Sequence, residues 1–319
     1  MVSIRRAVID VGTNSVKLLV AEVAGRSMNP LREESHQTRL GQGFYETQRL
    51  QPGPIAATAE AVARFADQAR REGAEAIRVI ATSAARDALN ARELTAAIAH
   101  ASGLTVEVIT GEREADWAFQ GVTTDPSLAE SPLLLLEAGG GSTQLILGHG
   151  AQTDFRESFP LGTVRLLEQA PPDDPPRPGE LAACRDRVRE FLRKEALPGL
   201  EPALRRQAKL DASAATIQLV GTGGTASILG CMEVRLDTFD RARLEATRLS
   251  RDQLNWHVER LWSLPLEARK QLVGLPKNRA DVILTGTVIY EAVTEQFGFR
   301  ELRISTRGLR FGALLVENG

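Results

Sequence analysis

The chain has 319 residues, 43% hydrophobic and 25% charged, with a formal net charge of −2. That length and apolar content suit two globular domains and exclude a collagen-like, coiled-coil or wholly disordered chain. The near-zero charge excludes the global basic field of a dedicated nucleic-acid binder, and only two cysteines, Cys184 and Cys231, exclude a disulfide scaffold or a CxxC zinc site.

In chain order, Ala7–Val11 and Val16–Val23 read as β-strands joined by the turn Gly12-Thr-Asn-Ser, and a third strand is expected over Leu31 to Leu40. A helix is expected from Pro54 to about Gly73, with proline in its first turn and glycine at its stop. Ala76–Ala81 reads as a strand. Asn90 with Glu93 three residues later reads as a capping box opening a helix that ends near Gly103. Leu104–Ile109 reads as a strand and Glu112 to about Gly121 as a helix.

After Thr123-Thr-Asp-Pro the pattern restarts, with strands expected at Leu133–Leu136, Gln144–Leu147 and Thr153–Phe159. Strand, Gly/Ser/Thr turn, strand, strand echoes the opening of the chain and suggests two similar halves. The run Pro171 to Pro178 excludes helix and central strand and reads as a stiff surface connector. A basic amphipathic helical stretch is expected from about Glu180 to Lys209, interrupted at Pro198-Gly199. Thr216–Val220 reads as a strand running into Gly221-Thr-Gly-Gly-Thr and a helix. The remainder reads as mostly helical, with a short strand at Leu302–Ile304 and a closing helix from about Gly308. Alternating strands and helices imply an α/β architecture. The apolar run Ala7–Val11 is too short for a signal-peptide core, and no later stretch approaches the length of a membrane span. A cytoplasmic protein with no membrane partner is the expectation.

Set against 5% aromatic residues, the 27 glycines include a cluster of seven at three strand ends: Asp10-Val-Gly-Thr-Asn-Ser15, Glu137-Ala-Gly-Gly-Gly-Ser-Thr143 and Val220-Gly-Thr-Gly-Gly-Thr225. Glycine lets backbone N–H groups approach an anion, and hydroxyls add donors. One such segment alone reads as a tight turn; three in one chain point to phosphate. None has the spacing of a P-loop or of a Rossmann fingerprint, so another scaffold is expected.

Those segments resemble the exopolyphosphatase/guanosine pentaphosphate phosphohydrolase (Ppx/GppA) family of the actin-like superfamily. Further resemblance lies in Ala81-Thr-Ser-Ala-Ala-Arg-Asp-Ala-Leu-Asn90, Ile109-Thr-Gly-Glu-Arg-Glu-Ala115, Phe159-Pro-Leu-Gly-Thr-Val-Arg-Leu166, Asn278-Arg-Ala-Asp281 and Ser305-Thr-Arg-Gly-Leu-Arg310. The matches run in order from residue 10 to residue 310. The resemblance implies two actin-like (ribonuclease H-like) domains with mixed sheets flanked by helices and an active site in the interdomain cleft. Domain I would span 1–123, with a C-terminal helix at 306–319 packing back on it, and domain II 124–305. Because the chain stops soon after residue 310, it resembles the family's short two-domain form.

The implied reaction is hydrolysis of a terminal phosphoanhydride, with inorganic polyphosphate or guanosine pentaphosphate (pppGpp) as substrate. Glu114, matching the catalytic Glu of the family's segment, would activate the water; a solvated first-turn glutamate is the alternative reading of the residue itself. Arg86 would clamp phosphate through its guanidinium. Gly12, Thr13, Asn14, Ser15, Gly139, Gly140, Gly141, Ser142, Thr143, Gly223 and Gly224 would supply donors. Arg113 stands where the family has a further Glu, and could lower the pKa of Glu114 or bring a cation towards substrate. Lys17, just inside the second strand, reads equally as a phosphate contact, a salt bridge or a solvated residue.

Mg²⁺ or Mn²⁺ is the implied cofactor, near Asp10, Glu137 and Gln144. Where the family has Asp and Glu, this sequence has Glu137 and Gln144, which predicts a weaker or shifted metal site. The basic residues Arg185, Arg187, Arg189, Arg193, Lys194, Arg205, Arg206 and Lys209 read either as a solvated helix face or as a track for a polyanion. His36, His100, His149 and His257 show no ligand spacing and receive no role. No nucleic-acid partner is expected, and a homodimer is a family-level implication. The rival of another class is a non-hydrolysing polyphosphate- or nucleotide-binding regulator.

Overall fold

A computed structural model describes residues 3–210 and 217–316. The chain divides into two units, one of Met1–Thr124 with Arg307–Gly319 and one of Asp125–Thr306.

Unit 1 opens with β1 (Ile4–Val11), β2 (Ser15–Ala24) and β3 (Ser27–Gln37). A one-turn helix α1 (Phe44–Thr47) and the long α2 (Pro52–Arg71) lead to β4 (Ala76–Ala81). Then come α3 (Ser83–Asp87), α4 (Ala91–Ser102), β5 (Val106–Val108) and α5 (Gly111–Val122). The sheet order is β3-β2-β1-β4-β5. β1–β3 form an antiparallel meander, and β4 and β5 are parallel to β1. The central strands are apolar on both faces because both faces are covered. Ile9, Val11 and Leu18 pack with Phe65 of α2 and Leu94 and Ile98 of α4. Their neighbours Val8, Leu19 and Ile80 pack on the other face with Trp117 of α5 and with Phe311 and Leu314.

Unit 2 repeats this plan. It contains β6 (Leu133–Ala138), β7 (Thr143–His149), β8 (Gln152–Phe159), α6 (Thr163–Gln169), α7 (Glu180–Phe191) and α8 (Leu197–Leu210). β9 (Gln218–Thr222), α9 (Gly223–Glu233), α10 (Arg241–Glu245), β10 (Arg248–Ser250) and α11 (Arg251–Trp262) follow. The unit ends with α12 (Leu266–Arg269), α13 (Ile283–Gln296) and β11 (Glu301–Ile304). Its sheet order is β10-β11-β9-β6-β7-β8. Again a three-stranded antiparallel meander meets a parallel strand, here β9 beside β6. The last helix, α14 (Leu309–Leu315), belongs to unit 1. It lies so close to α5 that a Cβ on Gly312 would stand 1.9 Å from the Trp117 carbonyl oxygen. No helix among the described residues is long and apolar enough to cross a membrane.

Several boundaries differ from those expected, some for a local reason and some for a long-range one. β3 starts earlier and stops at Gln37, because register against β2 fixes it; Leu40 leaves the strand for the core. The helix expected from Pro54 starts at Pro52, proline filling the first turn where its missing N–H costs nothing. Asn90 sits at the N-cap of α4 but makes no capping bond; its amide instead spans the Leu50 backbone, accepting from N at 2.8 Å and donating to O at 3.0 Å. β5 is only three residues long.

The interruption expected at Pro198-Gly199 lies upstream, as a π-helical turn at Leu192–Ala196. The Pro198 ring would press on the Lys194 carbonyl, and widening the preceding turn relieves that. Strand β9 runs from Gln218 to Thr222; Thr216 of the expected strand lies outside the described residues, as do residues 317–319 of the expected closing helix. Three-residue β10 carries too short a pattern to read.

Candidate active site

The parallel strands of unit 1 end together. Val11 and Ala81 are register partners, and Val11 O accepts from Thr82 N at 3.2 Å. Ala81 O accepts from Ile109 N at 3.0 Å. The Gly12 turn, α3 and α5 therefore leave the same edge of the sheet, the carboxyl end of its parallel strands, where α/β proteins place ligands.

The Gly12 turn is closed by Gly12 N donating to Ser15 O at 3.1 Å. Its outer carbonyls are taken by the segment after β3. Thr13 O accepts from Gly41 N at 2.7 Å, and Asn14 O from Thr38 N and Arg39 N at 3.2 and 3.0 Å. In a trans peptide the N–H points opposite to the C=O. The N–H groups of Asn14 and Ser15 are thus turned to the other side of the loop, a geometry suited to an anion. The Asn14 side chain adds to it. Asn14 is 7% exposed, its Oδ1 accepts from Gln37 Nε2 at 3.1 Å, and its Nδ2 is buried with no hydrogen-bond partner. A buried donor without an acceptor is costly, and an anion would satisfy it.

Arg86 reaches from α3 to α5. Its Nη1 donates to Glu114 Oε2 at 3.0 Å and to Ile109 O at 3.1 Å, and its Nε stands 3.7 Å from Asp87 Oδ1. Glu114 lies in the first turn of α5, whose N-cap Thr110 accepts from Arg113 N at 3.2 Å. Glu114 is 7% exposed, whereas its neighbour Glu112 is exposed, so burial separates the two glutamates. Arg113 turns the other way. It pairs with Glu107 at 2.5 Å and lies over the Trp117 ring, 5.6 Å from its centroid. Its charge is balanced by Glu107, not offered to Glu114. Across β1 and β2, Asp10 and Lys17 are register partners and form an ion pair, Nζ to Oδ2 3.5 Å; of the three readings for Lys17, the salt bridge is the one observed.

The unit 2 turn has the same length and closure. Gly139 N donates to Ser142 O at 2.8 Å, as Gly12 does to Ser15. Here the carbonyls are taken by the start of α6: Gly139 O by Thr163 N at 2.9 Å, and Gly140 O by Val164 N and Arg165 N at 2.9 and 3.1 Å. Gly141 O accepts from Arg165 Nε at 2.9 Å. The N–H groups of Gly140, Gly141 and Ser142 are therefore turned opposite to α6. Gly162 is required here, since a Cβ would stand 2.4 Å from Gly140 O. Thr143 is buried and donates to Leu161 O at 2.5 Å, so its hydroxyl secures the loop.

Glu137 and Gln144 face each other across β6 and β7 as Asp10 and Lys17 do across β1 and β2. Gly223 and Gly224 lie not in a loop but in the first turn of α9, directly after β9. A Cβ on Gly223 would stand 3.2 Å from Glu137 Oε1. The first turn of an 11-residue helix offers N–H groups to an anion.

Three supporting residues escaped the sequence reading. Arg165 lies within the quoted Phe159–Leu166 segment, and its charge three residues after Gly162 was the available signal. Ser158 Oγ accepts from Gln144 Nε2 at 3.0 Å. Tyr290 of α13 donates to Thr222 O at 2.6 Å and lies 3.2 Å from Leu136 O, joining the ends of β9 and β6. Burial pushes its phenol well above the ordinary range. Nothing local announces a contact across about 70 to 150 residues.

The fit of a divalent metal turns on Gln144. Gln144 is 1% exposed, and its Nε2 is held by the Ser142 and Ser158 hydroxyls at 2.9 and 3.0 Å. Its Oε1 is buried with no hydrogen-bond partner. Its cross-strand partner on β6 is Glu137, which brings one carboxylate to the same place in the hairpin. One carboxylate and one orphaned oxygen fit an ion that keeps waters and substrate oxygens in its shell. They do not make a closed protein cage, and no cluster of three or more His, Cys, Asp or Glu side chains occurs among the described residues.

Four of the eight residues of the basic stretch are held in ion pairs. Arg185 holds the buried Glu291 through two bonds of 2.7 and 2.6 Å and Glu259 at 2.7 Å. Arg189 pairs with Glu295, Lys194 with Glu190 and Arg205 with Glu201. These contacts favour a structural face over a polyanion track. His257 is buried against Glu233, Nε2 to Oε2 2.8 Å. Burial pushes the Cys184 thiol up to about 11, which makes it a poor nucleophile.

A model of the Ppx/GppA phosphatase family matches residues 19–318. Exopolyphosphatase 2 of Mycobacterium tuberculosis is 34% identical over 335 residues, covering 99% of each chain. A guanosine-5'-triphosphate,3'-diphosphate pyrophosphatase of Aeromonas hydrophila is 25% identical over 308 residues, covering 97% of this chain and 58% of that one. The crystal structure of the Aquifex aeolicus member of the Ppx/GppA family superposes with a TM-score of 0.77 at 28% identity, covering 98% of this chain and 97% of that chain. Two mixed sheets flanked by helices are the actin-like arrangement those neighbours share.

Proposed function

The chain belongs to the Ppx/GppA phosphatase family and is a phosphoanhydride hydrolase, and from that premise we propose that it is an exopolyphosphatase, removing terminal phosphate from inorganic polyphosphate. The observation that carries this reading is the Arg86–Glu114 pair at 3.0 Å, a half-buried guanidinium on a buried carboxylate, at the sheet edge that also carries the Gly12 turn. Phosphoryl transfer needs the phosphates positioned, the developing charge offset and a water oriented in line.

In this reading the N–H groups of Asn14, Ser15, Gly140, Gly141 and Ser142, with Gly223 and Gly224 of α9, bind phosphoryl oxygens. Gly12, Thr13, Gly139 and Thr143 hold those turns in shape. Arg86 offers its remaining guanidinium N–H groups to the terminal phosphoryl. Glu114 accepts a proton from the attacking water. The water oxygen bonds to the terminal phosphorus, the bridging P–O bond breaks, and the shortened polyphosphate leaves with the electron pair. Because Arg86 holds both Glu114 and phosphate, it sets their distance.

A divalent ion, Mg²⁺ or Mn²⁺, would be held in unit 2 by Glu137 and Gln144 Oε1; the third expected metal residue, Asp10 of unit 1, is balanced by Lys17. When bound it would neutralise phosphate charge.

Identity favours polyphosphate over pppGpp, since the exopolyphosphatase relative matches over 99% of both chains. The name of the Aeromonas relative supplies the alternative. The test compares phosphate release from long-chain polyphosphate and from pppGpp. A higher kcat/KM on polyphosphate is expected; a tenfold preference for pppGpp would overturn the assignment. Family membership favours hydrolysis over the non-hydrolysing regulator.

A further inference from the structure

Asp10–Lys17 and Glu137–Gln144 occupy matching places in two matching hairpins. In unit 1 the cation facing the carboxylate is part of the chain, Lys17 Nζ at 3.5 Å from Asp10 Oδ2. In unit 2 the matching residue is a neutral amide. Its orientation is fixed, because the N–H groups of Gln144 Nε2 are occupied by Ser142 Oγ and Ser158 Oγ. The free oxygen Oε1 is what remains. Unit 2 thus offers a divalent ion one formal negative charge and one dipole.

A hard divalent ion sheds its waters reluctantly and is retained by anionic oxygens. One carboxylate leaves the ion short of anionic ligands until polyphosphate brings its own. Building on the phosphohydrolase reading, we propose that this chain keeps no resident divalent ion. The ion enters and leaves as a metal–polyphosphate complex, and Glu137 and Gln144 Oε1 complete its oxygen shell only while polyphosphate is bound. Gln144 is the residue that makes the site substrate-dependent. The true substrate is then the metal complex, and free polyphosphate competes with it.

Equilibrium dialysis of Mn²⁺ against the full chain tests this, with and without imidotriphosphate as a hydrolysis-resistant probe. Without the probe, wild type should retain Mn²⁺ at least tenfold more weakly than with it, and with the probe about one ion per chain. Q144E supplies the missing charge at almost unchanged shape, and both serine hydroxyls can turn to donate to it. Q144E should retain Mn²⁺ without the probe at least tenfold more tightly than wild type. Its melting temperature should rise on adding Mn²⁺ alone, whereas that of wild type should not. That second readout serves even where Q144E folds poorly in metal-free buffer. One tightly held ion per wild-type chain without the probe overturns the proposal, as does a Q144E that neither binds nor is stabilised by Mn²⁺ alone. A chain that retains the probe without Mn²⁺ and releases phosphate without metal overturns this proposal while leaving the phosphohydrolase reading intact. A chain that retains neither probe nor ion overturns both.

Discussion

Arg86 Nη1 lies 3.0 Å from Glu114 Oε2, joining a five-residue helix to the first turn of α5. The same nitrogen donates to Ile109 O, which ends the approach to α5. One guanidinium therefore ties α3 at two points to the connection from β5 into α5, two segments that leave the sheet at the same edge. Its fork geometry makes those contacts at fixed angles, and lysine has no fork.

Arg86→Lys should keep the charge and lose the geometry. kcat/KM on polyphosphate should fall about tenfold or more, while thermal stability falls little. Arg86→Ala should cost about 2 kcal/mol of stability as well, because it removes the cation beside a buried carboxylate. Thermal melts alongside steady-state phosphate release separate the two. An R86K enzyme with wild-type kcat/KM would remove Arg86 from the site.

Gly162→Ala should damage the unit 2 loop without touching its own residues. The added Cβ meets Gly140 O at 2.4 Å and Gly141 C at 2.5 Å, both backbone. The loop must shift, which should cost about 1–3 kcal/mol and raise KM for polyphosphate. Gly53→Ala in α2, where a Cβ meets nothing within 4 Å, is the control and should be neutral to stabilising. A G162A enzyme with unchanged KM would mean that this loop does not hold substrate.

Acidification should weaken unit 2 through His257. Burial holds its imidazole below the ordinary 6.5, outweighing the attraction of Glu233, while the nearby Arg260 lowers it further. The folded state thus disfavours the charged ring. Its stabilising contribution is complete above about pH 6.5 and is lost as pH falls through the lower folded value. Denaturant titrations from about pH 7 to about pH 5 should show wild type losing stability faster than His257→Gln. Equal slopes would remove His257 from the acid response.

Much of this was legible in the sequence because it is local. The turns at Gly12 and Gly139 are announced by glycine and hydroxyl residues immediately after apolar runs, and the repeat of strand, turn, strand, strand shows in composition alone. What escaped is set by distant partners. Asn90 looks like a helix cap, yet its amide serves the Leu50 backbone, 40 residues away. Arg113 looks like a cation for the site, yet Glu107 and Trp117 draw it aside. The Gly221–Thr225 segment looks like a third loop. It is a strand passing directly into a helix, where a Cβ on Gly221 would stand 2.8 Å from the Tyr290 ring. Arg165 was visible in its segment but not as a support, because its partner carbonyl lies 24 residues earlier.

The most direct test of the central claim is phosphate release from polyphosphate by Glu114→Gln, measured in a single turnover with enzyme in excess. Glutamine keeps an oxygen for Arg86 and removes the group that takes the water's proton. The rate should fall by about a hundredfold to ten-thousandfold while polyphosphate affinity stays within about threefold of wild type. A Glu114→Gln enzyme that releases phosphate at the wild-type rate would contradict the assignment of Glu114 and the mechanism built on it.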